Sequence, residues 1–120
     1  MTPYPDIEIY IMNATTETVQ DWLNTVFEQV SPIKEGWRCE LQGKSMDVQF
    51  MAQAEKNFAS LWFKKNHTPW PTDLDCARAA HAALEAEVRC QANDWKEGEE
   101  ESNAGWVKLI RGEEKPFDWF

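Results

Sequence analysis

The chain has 120 residues, 42% apolar and 28% charged, with seven Trp, six Phe and a net charge of −9. Those proportions suit one globular domain with a core of its own and exclude a disordered chain. The charge disfavours direct binding to nucleic-acid phosphates or an anionic membrane, and favours cationic partners.

The opening MTPYPDIEIY has no basic or apolar leader pattern, so it is not read as a signal peptide. Ile7, Ile9 and Ile11 alternate within IEIYIM and predict a strand over 7–12. Thr15 or Thr16 offers a helix N-cap, with Glu17 in the first turn. Val19, Trp22, Leu23, Val26, Phe27 and Val30 then form a one-sided stripe, predicting a helix that runs to Ser31-Pro32. Trp37, Cys39 and Leu41, then Met46, Val48 and Phe50, alternate on either side of Gly43-Lys44 and predict a hairpin. FASLWFKK, 58–65, extends the meander as a further strand. A second helix is expected from Thr72 to about Trp95, with Ala77, Leu84, Val88 and Trp95 on one side at about 100° per residue. An acidic loop near 94–104 follows, then a strand over 106–111 and the aromatic tail PFDWF, 116–120.

The expected fold is a single α+β domain over 1–120. It is a two-layer sandwich with a mostly antiparallel sheet and two helices on one face, in the order β-α-β-β-β-α-β. That order is ferredoxin-like once one hairpin strand is set aside. The second sheet face then needs a cover, either the aromatic tail or a second copy of the chain. No apolar run approaches the roughly eighteen residues that span a bilayer. Three cysteines, Cys39, Cys76 and Cys90, with no CxxC, argue against a disulfide framework and a zinc knuckle, so a reducing cytoplasm is the expected location.

The segment HTPWPTDLDCARAAH, 67–81, concentrates the polar chemistry of the chain. Its acids have structural work as a helix start: Thr72 as N-cap, with Asp73 and Asp75 in the first turn. Cys76 and His81 stand five apart, about 140° around a helix, which is wrong for paired metal ligands. No metal and no cofactor is therefore expected. Cys76 and Cys90, placed in one helix, would lie roughly 21 Å apart and could not bridge. A catalytic reading rests on His81 as base, Glu85 one turn on to orient it, and His67 from the loop. No phosphate-cradling glycine motif is present, which leaves nucleotide binding without a backbone signature.

The remaining signal is acidic and aromatic. Glu17, Asp21 and Glu28 lie on a helix face that carries no Lys or Arg, where mixed signs are usual. Trp70, between two prolines, offers an aromatic anchor of the kind found at interface centres. The sequence thus favours a non-enzymatic protein-protein interaction module that binds a basic protein through Glu17, Asp21, Glu28 and Trp70. Its alternative is a small enzyme or ligand-binding domain with a pocket between sheet and helices near His81.

Overall fold

A computed structural model of the chain describes residues 4–91 and 105–117. In chain order the elements are β1 (Ile7–Met12), α1 (Thr16–Val26), β2 (Gln29–Ile33), β3 (Gly36–Leu41) and β4 (Lys44–Glu55). They continue with β5 (Phe58–Phe63), α2 (Asp73–Leu84), β6 (Val88–Gln91), β7 (Trp106–Ile110) and β8 (Glu113–Phe117). The result is a compact α+β fold whose eight strands form one antiparallel sheet, in the order β2-β3-β4-β5-β1-β6-β7-β8. The sheet is larger than the five-strand order expected from sequence.

Period-two alternation decides which face is covered. Ile7, Ile9 and Ile11 of β1 are buried and stand opposite Phe63, Leu61 and Ala59 of β5. The register carries that face outward to Met46 and Val48, Trp37 and Cys39 on one side. On the other it reaches Val88 and Cys90, then Val107 and Leu109. Val19, Trp22 and Leu23 of α1, with Leu74, Ala77 and Ala80 of α2, pack into the same core. Each fully buried Ile, Leu or Val side chain contributes about 2 kcal/mol by leaving water. The alanines of α2 add little area, but their small side chains let the helix lie close to the strands.

The helix starts form as the sequence predicts. The Thr15 hydroxyl accepts from the Thr18 N–H, and the Thr18 hydroxyl accepts from the Thr15 N–H, a reciprocal capping box. Thr72 caps α2 by accepting from the Asp75 N–H.

The helix ends differ from expectation. α1 stops at Val26, where Phe27 turns extended at φ −107 and ψ 152. Val30, expected on the helix stripe, sits in edge strand β2 opposite Cys39. The position is apolar in either geometry, so spacing did not separate the two. α2 stops at Leu84 rather than near Trp95, because Glu85 takes a left-handed conformation and ends the hydrogen-bond ladder. Val88 and Cys90 are buried by alternation in β6, not by helical period. Cys76 and Cys90 therefore lie on packed elements, α2 and β6, instead of along one helix; both are free thiols.

The β3–β4 turn is Gln42-Gly43, both at positive φ (53 and 80), one residue earlier than expected. This is the mirror-image turn that suits a twisted hairpin. Pro116 and Phe117 end β8, so this part of the tail extends the sheet rather than covering it. The acidic run 94–102, Trp95, Trp119 and Phe120 lie outside the described residues.

The sheet face away from the helices carries a layer of its own. The Arg89 guanidinium stands 4.2 Å from the Phe58 ring centre and 4.7 Å from that of Phe117, and pairs with Glu87 at 2.7 Å. Tyr10 meets Trp106 edge-on at 5.6 Å. Both edge strands hold a proline, Pro32 and Pro116, which removes a donor and hinders edge-to-edge growth of the sheet.

Candidate functional site

The 67–81 segment is built as a helix start. The Asp73 carboxylate accepts from the Glu8 N–H at 3.0 Å, which docks the head of α2 on β1. The Thr72 hydroxyl donates to Asp75 at 2.9 Å. Among the described residues, no three His, Cys, Asp or Glu side chains converge on a metal position.

The structure does not assemble the expected catalytic group. The Gly112 N–H donates to His81 Nε2 at 3.0 Å, so that nitrogen is an acceptor. Nδ1 then carries the proton and donates to the Ala86 carbonyl at 2.7 Å. Backbone groups thus meet both ring nitrogens, and the imidazole ties the end of α2 to the β7–β8 turn. Glu85 is the exposed C-cap of α2 and is not the group that orients the ring. His67 precedes α2 while His81 lies in its last turn, about 12 Å of helix beyond Asp73.

The expected binding residues are also dispersed. Glu17 and Asp21 share the exposed side of α1, one turn apart. Glu28 lies beyond the helix end, where its carboxylate accepts from the Gln42 N–H and braces the β3–β4 turn. Gln20, on the same helix as Glu17 and Asp21, accepts from the Trp37 indole N–H at 3.0 Å. Trp70 is half-buried and stacks on Trp22 at 5.4 Å, with Phe63 and Phe27 edge-on at 5.7 and 6.2 Å. Its ring closes over the core instead of projecting as a free anchor.

A groove at the C-terminal end of α2 is the better candidate. It has two adjoining lobes that share Met12, Asn13 and Ala86. The smaller, of about 440 Å³, is walled by Ile11, Ala14, Trp22 and Leu84, with Asp21 and Thr18 at its lip. The larger, of about 880 Å³, lies against His81, Glu85, Ile110 and Gly112. Arg111 is the one basic residue lining the larger lobe besides His81. The last carbonyls of α2 add the negative end of its dipole. A mostly apolar trough whose rim carries three carboxylates, Asp21, Glu85 and Glu87, against the one guanidinium of Arg111 suits an apolar group that carries positive charge.

Sequence reasoning named Asp21, His81 and Glu85 but not the groove they line. Met12, Asn13, Ile110 and Gly112 come from separate turns and strand ends, and no local spacing relates them. The one available signal was Asn13, directly after a strand, since asparagine is enriched several-fold in the left-handed region. Compared with protein-family models, curated proteins and solved structures, the chain matches none.

The thiols are inert at neutral pH. Burial pushes Cys39 and Cys90 up to about 12, and burial, with Asp73 next in effect, lifts Cys76 well above the usual thiol range. A folded-state pKa above the unfolded one means that stability is full below about pH 9 and falls as pH rises towards 12. Cys39 and Cys90 should each cost about 1 kcal/mol between pH 8 and pH 10, with Cys76 acting in the same direction. Urea midpoints at the two pH values check this, and serine at all three positions should flatten the dependence.

Proposed function

We propose that this protein is a non-enzymatic interaction module that binds a basic protein through an acidic and partly apolar surface. The observation that carries the reading is Asp21. It is exposed, makes no ion pair among the described residues, and stands at the lip of a lobe walled by Trp22 and Leu84. Glu17, one turn earlier, is equally uncommitted. Carboxylates left unpaired beside apolar surface favour a cationic partner and speed its approach at low salt. Three free thiols accord with a reducing cytoplasm. The central strands β4-β5-β1-β6, flanked by added hairpins, support a ferredoxin-like core within the larger sheet.

The test replaces Glu17, Asp21 and Glu28 together by lysine. Immobilised wild-type protein is expected to retain a basic protein from native extract and to release it at moderate salt. Association of that protein with the triple variant should slow by about tenfold to a hundredfold. Unchanged association, or retention insensitive to salt, sinks the reading.

A ligand-binding domain is the second reading, and the larger lobe favours it. Its volume falls within the roughly 300–1,000 Å³ of small-molecule sites. A small molecule that shifts the Gly112 amide resonance would support it, while a fragment screen that leaves Gly112 unmoved would end it.

A further inference from the structure

Three non-glycine residues in the left-handed conformation line one lobe: Asn13, Glu85 and Arg111, at φ 54, 54 and 53. Two have local reasons. Arg111 begins a tight hairpin turn with Gly112, and asparagine tolerates this region well. Glu85 has none. Glycine is the favoured residue at the helix end it occupies, and a side chain in this conformation is strained. Strain held beside a groove points to use of the side chain.

Charge says what that use is. Glu85 and Asp21 are exposed, form no ion pair among the described residues, and line adjoining lobes of one trough. Glu87, in the same lining, is already paired with Arg89, and Arg111 is a cation in that lining, so the excess negative charge comes from Asp21 and Glu85 together. The end of the α2 dipole adds negative potential between them. Ala14, Ala83 and Leu84 offer apolar contact at the centre, over a floor made by the core residues Ile11 and Trp22.

We propose that the groove is the docking site for a partner segment that carries an apolar side chain between Lys or Arg residues. The apolar group enters the lobe lined by Ala14, Ala83 and Leu84, and Asp21 and Glu85 bracket the flanking cations. The proposal rests on the basic-partner reading above and names the site and the segment for it. Glutamate stays at the helix end because its carboxylate holds the ligand, at the expense of some stability.

The test is amide NMR of the full chain titrated with the capped peptide Lys-Leu-Lys-Leu-Lys, with Glu-Leu-Glu-Leu-Glu as control. The Lys peptide alone should shift Asn13, Leu84, Glu85 and Gly112, and raised salt should weaken it. Glu85→Gln should weaken binding about threefold, and with Asp21→Asn about tenfold. Glu85→Gly should bind as weakly as Glu85→Gln yet melt about 3 °C higher. Absence of shifts at the groove, equal response to the Glu peptide, or full affinity in Glu85→Gln overturns the proposal. If the lysine triple variant loses a basic protein while the peptide leaves the groove unmoved, the module reading stands and the groove falls. Groove shifts without any retained protein support the groove and sink the module reading.

Discussion

Gly36→Ala is expected to cost about 3 kcal/mol or more, the largest steric penalty among the described glycines. Gly36 lies opposite Gln49 in the β3–β4 ladder, and a Cβ there would stand 1.8 Å from the Val48 carbonyl oxygen. It would also lie 2.9 Å from the Val48 carbonyl carbon and 3.1 Å from the Gln49 Cα. All three are backbone atoms, so no side chain can rotate away. Relief requires β3 and β4 to part, which threatens the Phe50 N–H bond to the Glu35 carbonyl and the seating of Trp37 below. Gly105→Ala is the control, since its Cβ would meet nothing within 4 Å. It should change stability by less than about 0.5 kcal/mol. Equal urea midpoints for the two variants would show that the strands separate freely and that the close approach is no constraint.

Trp37→Ala should cost about 4 kcal/mol. The indole is 1% exposed, its ring lies 5.7 Å from Phe50, and its N–H reaches Gln20 on α1. Two contributions can be separated. Trp37→Phe keeps most of the packing but loses the bond, and exposed Gln20 finds water in its place. That variant should cost about 1 kcal/mol. The difference assigns the larger share to ring volume between the sheet and α1. If Phe proves as damaging as Ala, the Gln20 bond rather than packing holds α1 to the sheet.

Both positions show how far the chain is legible without its fold. Trp37 was readable as inward-facing from alternation with Arg38, and the hairpin that contains it was readable from Gly43. The need for glycine at 36 was not, because it comes from a carbonyl twelve residues along the chain. The same division runs through the candidate site. His81 and Glu85 were found by their four-residue spacing, which a helix makes neighbours. The helix ends at Leu84, however, and the imidazole spends its two nitrogens on Ala86 and Gly112. Trp70 was legible as outside regular structure, but its stacking on Trp22 follows from where the 64–72 connection crosses the core.

The sequence by itself determined β1, the capped starts of both helices, the central hairpin and the acidic character of the surface. Each is set by neighbours within a few positions, through alternation, capping or turn chemistry. Only the tertiary structure decided where the helices stop, that Val30 and Val88 belong to strands, and that eight strands share one sheet. It also decided that Asp21 and Glu85 line adjoining lobes of a groove. The reason is that an apolar residue profits from burial in a helix or a strand alike, and the choice falls to whichever partner surface is near it. Such partners are distant in sequence, and local periodicity carries no information about them.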